Sequence, residues 1–125
     1  MILMRRILLA IAATATFGGV SLAADGMGDI DFPNSGNDAA QAAFIEGVKA
    51  LHSFQFDEAQ FAFQKAQAED PEFALAYWGE AMSVNKPLWR IQDTAAARAI
   101  LERLAPTLDE RLAKAPTEKE QAWLG

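Results

Sequence analysis

His52 is the only histidine of the chain and the side chain best suited to acid–base chemistry, and Ser53 follows it directly. A histidine base activates a serine nucleophile only when the two side chains lie within hydrogen-bonding distance of each other. Neighbouring residues at the end of a helix do not face each other, so this pair does not form such a couple. The sequence also contains no glycine-rich phosphate loop, no HExxH and no GxSxG.

Adjacent carboxylates include Asp57 with Glu58 and Glu69 with Asp70. Two carboxylates catalyse glycoside hydrolysis when they flank the bond that is cleaved. Here each pair stands where a predicted helix begins or ends, and acidic side chains near a helix N-terminus stabilise its dipole. We therefore predict that the chain is not an enzyme by itself. The alternative is an N-terminal part of an enzyme whose catalytic residues lie outside this sequence, with His52 the first residue to test.

The sequence also offers no suitable set of metal-binding side chains. The chain has no cysteine and a single histidine, which excludes a zinc site built from those residues. Five oxygen-bearing side chains cluster around the start of the first predicted helix: Asp25, Asp29, Asp31, Asn34 and Asp38. An EF-hand loop needs glutamate at its twelfth position, but counting from Asp25 or Asp29 reaches Gly36 or Ala40. We expect no metal and no cofactor, and we interpret residues 24–37 as a flexible, solvated linker.

The N-terminus has the pattern of a secretory signal. Arg5 and Arg6 precede the uncharged run Ile7–Val20, and small residues lead up to a cleavage position after Ala23. A transmembrane anchor is the alternative, but the run is shorter than the roughly 20 apolar residues that span a bilayer. We therefore predict a signal peptide over residues 1–23, a periplasmic or secreted protein, and only transient membrane contact.

The charge of the chain argues against nucleic acid as a partner. The whole sequence carries a net charge of −6. Removal of Arg5 and Arg6 with the signal peptide leaves 9 basic against 17 acidic residues, a net charge of −8. Such a field repels a polyanion.

From residue 38 onward the apolar residues follow a helical period, which predicts an all-α fold. Capping residues and prolines divide the segment into six predicted helices. These helices run over 38–51, 57–69, 71–84 and 93–104, followed by a short segment around 108–112 and a last helix opening at Thr117. Short connections between helices favour antiparallel neighbours.

Two motifs in this region resemble the tetratricopeptide repeat (TPR). They are Ala59-x3-Phe63-x2-Ala66-x4-Pro71 and Leu75-x2-Trp78-Gly79-x2-Met82. Gly47 and Gly79 are 32 positions apart and Pro71 and Pro106 are 35 apart, which brackets the roughly 34-residue period of the family. The second repeat departs from the pattern, because Arg103 stands where a small residue is expected and about five residues are inserted before Ala96.

The resemblance implies antiparallel helix pairs stacked as a short TPR-like α-solenoid. One helical domain, 38–125, would contain repeats over 38–71 and 72–106 and a partial third over 107–125. Small residues would let the helices approach closely while aromatic rings fill the layers between them. The expected core positions of the repeats are Phe44, Gly47, Leu51, Ala59, Phe63, Ala66, Pro71, Leu75, Trp78, Gly79 and Met82.

The function implied by the resemblance is a non-catalytic scaffold for protein–protein interaction. The first helices of successive repeats line a concave face that binds a peptide or a partner's helix. The candidate contact residues on that face are Gln41, Glu46, Lys49, Glu80 and Ser83. A plain solvated surface is the alternative for these polar residues. Three kinds of partner are compatible with this function: a protein or peptide ligand, a second copy of the chain, or further repeats of a longer chain.

Trp89 and Arg90, in the inserted loop Asn85–Gln92, form a second candidate contact site. Tryptophan and arginine are enriched among the residues that dominate binding energies. The alternative is that Trp89 folds back over Trp78 and His52 and covers the end of a helix pair, since large aromatic residues are strongly buried on average.

Overall fold

The computed structural model describes residues 28–125, and this part of the chain is mostly helical, as the sequence predicts. Its helices are α1 (Asp38–His52), α2 (Phe56–Glu69), α3 (Ala74–Ser83), α4 (Thr94–Leu104), α5 (Leu108–Lys114) and α6 (Glu118–Leu124). An antiparallel hairpin of β1 (Asn85–Lys86) and β2 (Ile91–Gln92) lies between α3 and α4. The predicted signal peptide, residues 1–23, falls outside the described residues. Among the helices described, none has the length and apolar character needed to cross a bilayer.

Side chains cap several of the helix starts. The Asn37 Oδ1 atom accepts a hydrogen bond from the Ala40 amide at 2.9 Å, and Asp93 caps α4 through the Ala96 amide at the same distance. Thr117 caps α6 in the same way. Each of these caps satisfies an amide that has no partner within its helix, which fixes where the helix begins.

Helix α3 begins three residues later than the sequence suggests. Pro71 is exposed and lies in a turn, and the first residue of α3 is Ala74. The turn is held by the Phe73 amide, which donates to the Asp70 carbonyl, and by the Tyr77 hydroxyl, which donates to the Pro71 carbonyl at 2.9 Å. This arrangement places the Phe73 ring inside the core, where it is 1% exposed.

The first core cluster is built around the ring of Phe63, which projects from α2 and is fully buried. Gly47 on α1 and Gly79 on α3 both lie against this ring, and a Cβ atom on Gly47 would come within 2.8 Å of it. The Phe44 ring contacts Phe63 at 5.7 Å between centroids and Phe73 at 4.8 Å. Helices α1 and α3 therefore approach α2 closely because two glycines leave room for one phenylalanine.

Most of the expected core positions are inside the fold. The buried ones are Phe44, Gly47, Ala59, Phe63, Ala66, Leu75 and Gly79, and the half-buried ones are Leu51 and Trp78. Pro71 and Met82 differ from the expectation because both are exposed. Pro71 belongs to the turn before α3, and Met82 lines a surface groove.

A second core cluster joins α3 to the last three helices. It consists of Ala74, Tyr77, Leu104, Ala115 and Leu124. Desolvation by burial raises the pKa of the Tyr77 hydroxyl above its ordinary value of 10.0, and the nearby charge of Arg103 opposes this effect. Tyr77 therefore remains neutral at physiological pH and acts as a hydrogen-bond donor within the fold.

Residues 28–37, the described part of the expected linker, form no helix or strand but are held against the helices by specific contacts. The amide and hydroxyl of Ser35 donate to the Glu120 carboxylate at 2.8 and 2.7 Å. The Phe32 ring packs edge-on against Phe44 at 5.4 Å. This segment is thus part of the helical domain, in contrast to the solvated linker expected from its composition.

Candidate binding groove

A groove of about 450 Å³ opens between α1, α3, α6, the hairpin and the segment 28–37. Its apolar lining includes Phe32, Leu51, Phe54, Trp78, Met82 and Trp123, and its polar lining consists of His52 and Asn85. We call this feature the groove. Binding sites in proteins are typically concave, of this size, mostly apolar, and equipped with a few polar groups that orient the ligand.

Each wall of the groove comes from a different element. Trp78 and Met82 are four residues apart on α3, so their side chains lie one helical turn apart on the same face. The Trp123 ring on α6 meets Trp78 in a T-shaped contact with 4.9 Å between centroids. On its other side Trp123 contacts Phe32 at 6.2 Å. These three rings form a continuous aromatic wall that connects the N-terminal segment with α3 and α6.

Several lining side chains remain open to solvent although they are large and apolar. Phe54 is 54% exposed, Trp123 is 45% exposed and Met82 is 39% exposed. Single exposed apolar residues are common on protein surfaces, but a contiguous concave set marks an interaction site. The groove therefore offers apolar surface that a ligand would remove from water.

Phe54 adopts an unusual backbone conformation at the mouth of the groove. Its φ angle is 60°, in the left-handed region that normally favours glycine. The Phe54 amide donates to the Leu51 carbonyl and the Gln55 amide to the Ala50 carbonyl, which is the Schellman arrangement that ends α1. Glycine is the usual residue at this position. Phe54 therefore adopts a backbone conformation that is unfavourable for a residue with a Cβ atom, while more than half of its surface stays exposed to solvent.

The two polar residues of the groove, His52 and Asn85, differ in their hydrogen bonding. The His52 Nδ1 atom lies 2.8 Å from the Val48 carbonyl oxygen, which accepts a hydrogen bond from it. Asn85 carries a buried Oδ1 atom that accepts no hydrogen bond from any residue in the range 28–125. An unsatisfied buried acceptor costs about 1–3 kcal/mol, so this atom is a departure that calls for an explanation.

A second aromatic surface lies beside the groove on the hairpin. The ring of Phe56 contacts Phe54 at 6.2 Å and Trp89 at 5.9 Å. The Lys86 ammonium lies 5.9 Å from the Phe56 centroid and 2.9 Å from an Asp57 carboxylate oxygen. Trp89 therefore packs on Phe56, and the expectation that it covers Trp78 and His52 is wrong.

Glu80 and Ser83 are buried, so the expectation that they belong to an exposed binding face is wrong. Glu80 is 2% exposed, because its carboxylate accepts hydrogen bonds from Gln64 and Gln67 and forms an ion pair with Arg103. The Ser83 hydroxyl donates to the Glu80 carbonyl at 2.6 Å. Both residues join α3 to its neighbouring helices and are not available to a partner.

The remaining predicted contact residues lie on the surface but not in the groove. Glu46 is exposed on α1, Lys49 is half-buried on the same helix, and Trp89 and Arg90 are exposed at the hairpin. Gln41 is half-buried, and its Nε2 donates to the Asn34 side chain and the Gly36 carbonyl. Trp89 and Arg90 are thus separate from the α1 residues, and none of them joins Phe54, Asn85 and Trp123 in one site.

The sequence analysis identified none of Phe54, Asn85 and Trp123 as a binding-site residue, although all three line the groove. A phenylalanine directly after a predicted helix end, where glycine is common, is the one local signal that points to Phe54. Trp123 and Phe32 are about ninety positions apart, and nothing in their local sequence indicates that they meet.

No protein-family model, curated protein or solved structure shows significant similarity to this chain. Within residues 28–125, no three histidine, cysteine, aspartate or glutamate side chains are placed to hold a metal ion. The groove is therefore the main structural indication of function.

Proposed function

We propose that this chain is a non-catalytic protein–protein interaction module of the cell envelope, periplasmic or secreted, built from TPR-like helix pairs. Its binding site is the groove, and its ligand is a peptide segment of a partner protein. The observation that carries this proposal is the open aromatic wall of Trp78, Trp123 and Phe32, which is concave, apolar and formed by α3, α6 and the segment 28–37 together.

The repeat interpretation is supported by the surroundings of Phe63. Gly47 and Gly79 are 32 positions apart, on the first helix of each proposed pair, and they contact the same ring. Equivalent positions of successive repeats meet in this way when helix pairs stack with a regular offset. The groove is lined in part by the C-terminal ends of α1 and α3, the first helices of the two proposed pairs.

A charge placed in the groove tests the proposal. Met82→Glu puts a carboxylate on the α3 wall, and because Met82 is already 39% exposed the fold should tolerate it. We expect peptides selected from a random library against the wild-type protein to lose at least about tenfold in affinity, the equivalent of about 1.4 kcal/mol. Binding is followed by tryptophan fluorescence and by calorimetry.

Phe61→Glu is the matched control for that change. Phe61 is 71% exposed on α2 and does not line the groove, so a glutamate there changes the net charge by the same amount outside the proposed site. Retained affinity in this variant and lost affinity in Met82→Glu assign binding to the groove. Equal affinity in all three proteins contradicts the proposed site.

Assembly by stacking is a second candidate function, and the end of the domain formed by α5 and α6 favours it. Leu108 on α5 is 46% exposed and Trp123 on α6 is 45% exposed. If stacking is the function, analytical ultracentrifugation will show concentration-dependent self-association that Leu108→Asp abolishes. A monomer at all concentrations would leave peptide binding as the better account.

A further inference from the structure

We propose that this chain forms a two-fold symmetric dimer through the tip of its β1–β2 hairpin, with Arg90 of each copy paired with Glu58 of the other. The surface involved consists of residues 88–91 together with Lys86, Asp57 and Glu58, and we call it the hairpin patch. None of these residues lines the groove, so the inference goes beyond the proposed function and is independent of it.

The apolar part of the hairpin patch consists of three large side chains within four residues. Leu88 is 65% exposed, Trp89 is 58% exposed and Ile91 is 50% exposed. Isolated exposed apolar residues are common on protein surfaces, but a contiguous group of them marks an interaction site. A partner that covers these side chains removes them from water, which supplies the apolar share of the binding free energy.

The fold holds the hairpin patch in a fixed arrangement. Strands β1 and β2 pair with each other and close the hairpin at its base. On the side of α2, the Trp89 ring contacts Phe56 at 5.9 Å between centroids, and the Lys86 ammonium lies 2.9 Å from an Asp57 carboxylate oxygen. A partner therefore meets a preformed surface, and little conformational entropy is lost when it binds.

The charges of the hairpin patch favour a second copy of this chain as the partner. Lys86 and Asp57 are already paired with each other. Arg90 and Glu58 are both exposed, and neither takes part in an ion pair with any residue in the range 28–125. A free cation and a free carboxylate on one surface are complementary to a copy of that surface, because a two-fold axis makes each pairing occur twice.

The balance of charge separates the hairpin patch from the chain as a whole. The patch contains two basic and two acidic residues, whereas the whole chain has 11 basic and 17 acidic residues. Two copies therefore repel each other least when they approach through this surface. A basic peptide would find only one free carboxylate here, and an anionic membrane would face Asp57 and Glu58. A second copy of the chain matches both free charges.

A charge exchange tests the pairing of Arg90 with Glu58. We expect the wild-type protein to show a monomer–dimer equilibrium at micromolar concentrations in sedimentation velocity. Arg90→Glu and Glu58→Arg each place like charges opposite one another twice in the interface, and each should weaken dimerisation at least about tenfold. The double variant Arg90→Glu/Glu58→Arg restores both pairs with their signs exchanged and should dimerise about as well as the wild type.

A control variant and a local probe fix the position of the interface. Arg98→Glu is the matched control, because Arg98 is an exposed arginine on α4 outside the hairpin patch, and it should leave dimerisation unchanged. The indole N–H signal of Trp89 in NMR spectra should shift with protein concentration, while the signals of Trp78 and Trp123, which line the groove, stay constant. Leu108→Asp, on α5, should also leave this dimer intact.

Three results would overturn the inference. The first is a wild-type protein that stays monomeric up to about 1 mM, or a dimer that neither single variant weakens. The second is a double variant that fails to restore dimerisation. The third is a monomeric wild type that binds vesicles of anionic phospholipid through Arg90, which would assign the hairpin patch to a membrane. The proposed function is tested separately, since Met82→Glu changes the groove and leaves the hairpin patch as it is.

Discussion

At the scale of single residues, the packing of the domain depends on the space beside Phe63. Gly47 and Gly79 leave that space, and the ring is fully buried between them. A buried ring enclosed on two sides has no free volume into which it can move, since protein interiors are packed as densely as organic crystals. The size of two side chains on α1 and α3 therefore determines how closely both helices approach α2.

Substitution of Gly79 by alanine should destabilise the protein, although alanine is the better helix former by about 1 kcal/mol. The added Cβ would overlap the Phe63 ring, and overpacking of this kind costs typically 1–3 kcal/mol, so we expect a net loss of about 1 kcal/mol in the free energy of unfolding. Urea denaturation measures the loss. The double variant Gly79→Ala/Phe63→Leu is the control, because a smaller side chain at 63 gives the methyl group room and should remove most of the added penalty of the alanine.

At the scale of elements, one buried carboxylate connects three helices. Glu80 on α3 accepts hydrogen bonds from Gln64 and Gln67 of α2 and pairs with Arg103 of α4. Its donors come from both neighbouring helices, so the carboxylate fixes the position of α3 between them. Such fully satisfied polar networks favour one arrangement of helices over other arrangements that bury the same apolar area.

Glu80→Gln should lower the free energy of unfolding by about 1–3 kcal/mol, because the new amide N–H₂ faces donors and cannot accept from them. The matched control is Glu72→Gln, the same chemical change at an exposed carboxylate that pairs with Lys114. Surface ion pairs contribute little, so the control should change stability by less than about 1 kcal/mol. Equal effects of the two substitutions in thermal or urea unfolding would show that the network is no more important than a surface pair.

The sequence predicts the ends of helices well where those ends are determined by neighbouring residues. Asn37, Asp93 and Thr117 were predictable as caps because a short polar side chain reaches an amide two or three residues away. Helix α2 starts at Phe56 instead of after Asp57, and the inserted loop folds into the β1–β2 hairpin. These differences depend on tertiary contacts, such as those of the Phe56 ring with Trp89, which local propensity does not contain.

At the scale of the whole molecule, the groove depends on contacts between distant parts of the chain. Phe32 meets Trp123 across about ninety residues, and Ser35 meets Glu120 across 85. Glu120 lies three residues after the N-cap Thr117, where the side chain of a capping box accepts a hydrogen bond from the N-cap amide. Here the Glu120 Oε1 atom accepts hydrogen bonds from the amide and hydroxyl of Ser35. The helical period could therefore predict the helices, while the binding site could only be recognised once the ends of the domain were seen together.

The contact of Ser35 with Glu120 should keep the segment 28–37 in place and thereby complete the groove. Glu120 is 2% exposed and holds the segment through the Ser35 amide and hydroxyl, and each bond to a charged group contributes about 1.5–3 kcal/mol.

We expect Glu120→Ala to raise the hydrogen–deuterium exchange rate of the Ser35 and Gly36 amides by about tenfold, and to weaken groove ligands because Phe32 loses its fixed position. Glu118→Ala, an exposed residue on the same helix, is the control and should leave both measurements unchanged. If exchange at Ser35 rises while ligand affinity stays constant, the segment is held by Glu120 but is not a wall of the functional site; if exchange does not rise at all, Phe32 packing alone holds the segment.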